Sequence, residues 1–177
     1  MDSAATVLGV AAPKHQPGET EWIALNAHAS GVVALGERLR SAEEATRELA
    51  RQYVPTLSLL LGPLGAARLV VLAGGRERLA RMPSGSLQVL GASGAMAAHR
   101  RGAPPPKHSP VLFSLPQVSR SPRWVRGKIA RFLAGKASIA VRMDHFDGEP
   151  WDEERIAEIN QECENIRARF PKPPKRR

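Results

Sequence analysis

Apolar side chains recur at helical spacing through residues 122–143, and this pattern constrains the fold most. At about 100° per residue, Val125, Ile129, Phe132, Leu133, Ile139, Ala140 and Met143 fall on one broad arc. Ser121 and Pro122 suit a first turn, because proline lacks an N–H that a helix start leaves unbonded anyway. An amphipathic helix of this length must bury its apolar arc against other elements. The same period predicts what those elements are.

Residues 21–40 carry a weaker helical pattern in Trp22, Ile23, Leu25, Val32, Val33, Leu35 and Leu39, diluted by Gly31 and Gly36. Ser41 and Glu44 fit a capping box that opens a second helix over 42–54, with Pro55 as its break. Residues 57–61 and 64–72 read as two buried helical pieces around Gly62-Pro63, and Gly74-Gly75 is a stop. Short helices follow over 76–82, 84–90 and 92–100. Four prolines make residues 102–110 a loop of restricted shape. Residues 111–115 are predicted to be extended, and 151–170 form a last helix. There is no internal repeat, and the predicted fold class is all-α.

A length of 177 residues suits one domain with an extension. The division read from sequence is a loosely packed or disordered start at 1–20, a helical arm at 21–54, a main domain at 55–170 and an unfolded basic tail at 171–177. The most apolar stretch, 57–73, contains Gly62, Pro63, Gly65 and Arg68, so it reads as core rather than as a membrane span. The first 20 residues lack the pattern of a secretory signal. The chain reads as soluble and intracellular, with no membrane partner.

Charge says more about function. The formal net charge is +9. Between Glu77 and Asp144 lie 66 residues without Asp or Glu, and twelve Lys or Arg side chains occupy that window. Solvated faces usually mix signs, because like charges repel and offer no i,i+4 support. A window purged of carboxylates suits a polyanion, with an acidic protein as the other candidate partner. Arg123, Arg126, Arg131 and Arg142 lie off the apolar arc of the long helix, where they can reach phosphates. Lys136 falls within that arc and reads as a snorkelling or paired side chain. The last helix is acidic.

Catalytic signals are absent from this pattern. Gly127-Lys128 and Gly135-Lys136 lack the earlier glycine of a phosphate-binding loop. The five histidines show no metal-ligand spacing, and Cys163 stands alone, so neither a zinc site nor a disulfide is expected. The reading is a non-enzyme without metal or cofactor.

Residues 123–146 read R-W-V-R-G-K-I-A-R-F-L-A-G-K-A-S-I-A-V-R-M-D-H-F. This closely resembles the Nop domain signature R-G-K-x-A-R-x-L-A-x-K-x-x-x-A-x-R-x-D-x-F. Upstream, L-L-G-P-L-G-A-A-R-L-V-V-L-A-G-G at 60–75, the Met82-Pro83-Ser84 and Gln88–Ala92 run, and Pro106-Lys107-His108 before Phe113 are similar to further family motifs. The ending F-P-K-P-P-K is similar too, and the resemblance covers about residues 42–175.

The resemblance implies a mostly helical RNA-binding scaffold of box C/D-type ribonucleoproteins, which guide ribose 2′-O-methylation of rRNA. It implies two partners on a composite surface: a kink-turn guide RNA and a small kink-turn-binding ribosomal-type protein. A full-length Nop protein would pair through the coiled-coil arm, of which 21–54 is a truncated remnant. No room precedes residue 21 for the domain that recruits the methyltransferase, which makes fibrillarin a doubtful partner. Location would be cytoplasmic in an archaeon and nucleolar or nuclear in a eukaryote.

The RNA-binding residues so read are Gln88, Gly91, Ala92, His99, Arg100, Lys107, His108, Arg120, Arg123, Arg126, Lys128 and Arg131. Motif and charge agree best at Arg126, Lys128 and Arg131. Backbone N–H groups at Gly91-Ala92 would meet a phosphate, and Gln88 would donate to a base or phosphate or merely cap a turn. Where the family has acidic, lysine, aromatic and arginine residues, this chain has Ser93, Gly94, Ala97 and Ala98. His99, Arg100 and Arg101 return part of that charge. These replacements favour an alternative: a vestigial or regulatory homologue that binds proteins and not RNA.

Overall fold

The computed structural model of the chain describes residues 17–174. Ten helices and no strand occur among them: α1 (Glu19–Tyr53), α2 (Pro55–Leu61), α3 (Pro63–Ala73), α4 (Arg76–Arg81), α5 (Ser84–Gln88), α6 (Ser93–Arg100), α7 (Pro110–Phe113), α8 (Pro116–Ser119), α9 (Arg123–His145) and α10 (Glu153–Arg169). The fold is all-α. The chain divides into two compact units, with the boundary between Ala42 and Glu43 inside α1.

The first unit is helical from Glu19, and Glu21 caps the start by accepting from the Gly18 N–H at 2.9 Å. Its apolar side chains, Trp22 to Leu39, are all exposed. Residues 1–16 lie outside the described residues, but Glu19 and Thr20 already belong to the helix. The expected break at Ser41 does not occur. A capping box opens a helix only where the preceding chain leaves helical geometry, and A-L-G-E-R-L-R at 34–40 continues it, apart from the modest cost of Gly36. Glu44 pairs instead with Arg47 and Arg51.

The second unit is built around α9, against which α2, α4, α5, α7, α8 and α10 pack. Val125, Ile129, Leu133 and Val141 are fully buried, and Ala130, Ala134, Ala137 and Ala140 let neighbouring helices approach on a wide front. Each fully buried large aliphatic side chain contributes about 1.5–3 kcal/mol. Ile139 departs from its expected place and is 46% exposed. It lies six residues beyond Leu133, about 120° away at 100° per residue, so the arc that becomes core runs through the alanines instead.

Prolines set the joints. Pro55 and Pro63 open α2 and α3, which meet at 117° across Gly62 (φ 76°). No single helix among the described residues is long and apolar enough to cross a membrane. The extended segment expected at 111–115 is replaced by α7 and the helical Ser114 that closes it, and within that stretch only Leu115, the cap of α8, is extended. Pro110 and Pro116 stand in their first turns, and Ser109 Oγ accepts from the Leu112 N–H at 2.9 Å. These features outweigh the β-branched Val111.

The start of α2 has no cap from its own Val54. A carboxylate 88 residues away does that work. Asp144, near the end of α9 and 8% exposed, accepts from the N–H groups of Thr56 and Leu57, both at 2.9 Å.

On α10, Asp152 caps the start and three of the five glutamates pair with arginines of the same helix: Glu158 with Arg155, Glu164 with Arg167, Glu162 with Arg169. Cys163 is fully buried, and burial pushes its thiol up to about 11. Well below pH 9 the thiol is almost wholly neutral in both folded and unfolded chain. Between pH 9 and about 11 the unfolded thiol ionises first, so this group subtracts stability as pH rises. At pH 8 an aromatic disulfide reagent is expected to modify Cys163 at least about 100-fold more slowly in the native chain than in denaturant. Comparable rates would place the thiol at the surface.

Candidate nucleic-acid interface

The proline loop between α6 and α7 is fastened to α5. Gln88, 8% exposed, donates from Nε2 to the Lys107 carbonyl at 2.6 Å, and its own carbonyl accepts from the Ser109 N–H at 2.6 Å. His108 stacks on Phe113 at 4.9 Å between centroids. Lys107, between these anchors, is exposed. The loop comes close to α9 because position 127 is glycine: a Cβ there would meet Lys107 Cβ at 3.2 Å.

This packing makes a groove of about 690 Å³ between the loop and α9. Pro104, Pro105, Pro106 and Lys107 form one wall. Trp124, Lys128 and Arg131 form the other, at i, i+4 and i+7 along one helix face, and Gln88 and Pro174 complete it. Arg131 is exposed, and no hydrogen bond or ion pair joins it to another described residue. Lys128 Nζ lies 4.0 Å from the Phe170 ring centroid, a contact that leaves its charge free for an anion.

Other residues read from the sequence lie elsewhere or are occupied. Arg126 is half-buried. It donates from Nε to the Ser121 carbonyl at 2.9 Å and from Nη2 to the Ser119 carbonyl at 3.0 Å, with its guanidinium 5.3 Å from the Phe113 centroid. It closes the end of α8 and is not a free cation. Gln88 spends its amide N–H on the loop rather than on a ligand.

Ala92 is buried and its N–H bonds to Val89 O at 3.0 Å, so it offers no donor to a phosphate. Gly91 (φ 82°) lines a separate apolar groove with Leu72 and Val71. His99 Nδ1 contacts the Ala103 carbonyl at 2.7 Å. Arg100, Arg120 and Arg123 are exposed outside the groove. Lys136 Nζ sits 5.5 Å from the Phe132 ring and near enough to Glu162 to help lower its pKa, after the hydrogen bonds from Asn165 and Arg169. Arg142 donates to the Ala80 carbonyl at 3.0 Å, capping α4.

Of the twelve cations in the acid-free window, only Arg81 forms an ion pair among the described residues, with Glu77. Three of the five glutamates of α10 pair with its own arginines, and none forms an ion pair with a groove cation among the described residues. Among the described residues no group of three His, Cys, Asp or Glu is placed to hold a metal ion.

Sequence reasoning missed Trp124, Pro174 and the role of Gly127. The spacing of Trp124 with Lys128 and Arg131 was visible, but nothing in it showed that a loop would face them.

The chain as a whole is similar to known proteins. Residues 3–167 match the Nop family, described as "snoRNA binding domain, fibrillarin". An uncharacterized NOP5 family protein of Methanocaldococcus jannaschii is 41% identical over 140 residues, covering 78% of this chain and 33% of that protein. Nucleolar protein 56 of Homo sapiens is 36% identical over 132 residues, covering 73% of this chain and 22% of that one. The chain thus spans a third or less of these relatives' lengths. Among solved structures, a crystal structure of a fibrillarin/Nop5p complex is similar with a TM-score of 0.66 and 28% identity, covering 94% of this chain and 60% of the matched one.

Proposed function

The chain belongs to the Nop family, and from that premise we propose that it is an RNA-binding scaffold of a box C/D-type ribonucleoprotein. Its groove takes the phosphate backbone of a kink-turn RNA already bent by a small kink-turn-binding protein. One observation carries this reading: Lys107, Lys128 and Arg131 line one groove, and among the described residues no carboxylate pairs with them. Contacts of this kind read shape and charge, with unpaired bases at the edge. The scaffold has no chemistry of its own and supports ribose methylation by holding the guide RNA.

The fibrillarin in the similar complex supports a place in the same kind of particle. It enters here as a fellow component, not as a ligand of the groove. A full-length Nop protein is the proposed partner of the exposed apolar side chains of α1. The nucleolar names of relatives support a nucleolar location in a eukaryote, and an archaeal chain would work in the cytoplasm.

A second reading is a module that binds the small protein without RNA. It is favoured by α6, which has no buried residue and presents Ser93, Gly94, Ala97 and Ala98.

The test is binding of a labelled kink-turn RNA with and without the small protein across a salt series. Three phosphate contacts predict log K falling with log salt at a slope of about −2 to −3. A slope near zero, or capture of the small protein after nuclease treatment with no RNA binding, would decide for the second reading.

A further inference from the structure

A phosphate backbone accounts for the three cations of the groove and for little else in it. The walls carry rings. Pro104, Pro105 and Pro106 stand on one side and the half-buried indole of Trp124 on the other. Trp124 Nε1 donates to the Phe170 carbonyl at 2.9 Å, so the indole offers a groove ligand its apolar ring and no donor. Gln88 also lines the groove and is 8% exposed. Its Nε2 is held by the Lys107 carbonyl, and its Oε1 accepts from no described residue.

These features select against phosphate at that point. An amide oxygen repels a phosphate oxygen and needs a donor, and a nearly buried acceptor left without one costs binding. Proline and indole rings favour a flat apolar surface. A nucleobase supplies both, a face to stack and N–H groups on its edge. A ribose 2′-hydroxyl also donates, but it has no face for the rings. The groove volume of about 690 Å³ falls within the range of about 300–1,000 Å³ typical of sites for small ligands.

Resting on the reading of the groove as an RNA site, we propose that it is a slot for one unpaired nucleobase. The base stacks on Trp124 against the proline wall and donates from its edge to Gln88 Oε1. Lys107, Lys128 and Arg131 hold the flanking phosphates. Trp124 and Gln88 thus add base recognition to a site otherwise built for charge.

The experiment measures binding of a fluorescein-labelled kink-turn RNA, with the small protein, to the full chain in a salt series. Each unpaired nucleotide is replaced in turn by an abasic one and, separately, by its 2′-deoxy form. One abasic replacement is expected to weaken binding about 10-fold, as base–aromatic stacking predicts, while its deoxy counterpart binds like the parent RNA. W124L is expected to lose about as much on the intact RNA, to keep the parental salt slope because no cation changes, and to lose nothing further on that abasic RNA. Unlabelled intact RNA is expected to quench the indole emission of the parent and not of W124F, and the abasic RNA to quench neither. Circular dichroism checks folding, and the quench decides if W124L unfolds.

Abasic replacements that all bind like the parent RNA, or a W124L loss that is the same on every RNA, would overturn the slot. A deoxy replacement as weak as the abasic one would assign the Gln88 acceptor to the sugar and overturn it too. K107E/R131E separates the two claims. If it flattens the salt slope beside any of those results, the phosphate reading stands without the slot. If it binds like the parent, the groove reading falls and takes the slot with it.

Discussion

Lys107→Glu combined with Arg131→Glu is expected to weaken kink-turn RNA binding about 100-fold near 0.1 M salt and to make the salt slope shallower by about 1.5–2. The two residues face each other across the groove from different elements. Each reversal removes a phosphate contact and places a carboxylate where the backbone passes. Both side chains are exposed and neither bonds to another described residue, so the fold should tolerate the change. Arg126→Ala is the informative control. It leaves the carbonyls of Ser119 and Ser121 without their donor, so it should cost about 1–3 kcal/mol of stability while leaving the salt slope as it was. A double variant that binds RNA like the parent, or an Arg126 variant that flattens the slope, would move the interface elsewhere on the protein.

Asp144→Ala is expected to destabilise the second unit by about 3–4 kcal/mol. Its carboxylate serves the two first-turn N–H groups of α2, which have no other cap. Both donors are buried with it. Leaving a buried donor unsatisfied costs about 1–3 kcal/mol, more than an exposed cap is worth. The negative charge also favours the positive end of the helix. Asp144→Asn keeps one acceptor and should lose roughly half as much. Denaturant unfolding followed by circular dichroism measures both. A loss under 1 kcal/mol for the alanine variant would show that α2 is held by its apolar contacts alone.

The Asp144 bonds show where sequence reading ends. The carboxylate stands in the R-x-D-x-F stretch and closes the acid-free window, so it was visible as a residue. That it caps a helix 88 positions earlier was not visible, because local capping patterns span about three residues. Arg126 teaches the same lesson in reverse. Motif and charge both marked it, yet the end of α8 falls within its reach and its donors are spent there. The sequence misled at Ser41 and at 111–115 because capping and β-branching are weak local preferences. A continuing helix overrode the first and two first-turn prolines the second.

The sequence by itself determined that the chain is helical, where most of its helices start and stop, that it is a Nop protein, and that one long window excludes negative charge. These depend on local period, on proline and glycine, and on counting, all of which are properties of the chain as written. Only the tertiary structure decided which cations are free. A guanidinium is available to a phosphate only if no carbonyl or carboxylate already holds its donors. Whether one does depends on contacts between residues far apart in the chain, such as Lys107 beside Gly127 and Phe170 beside Trp124.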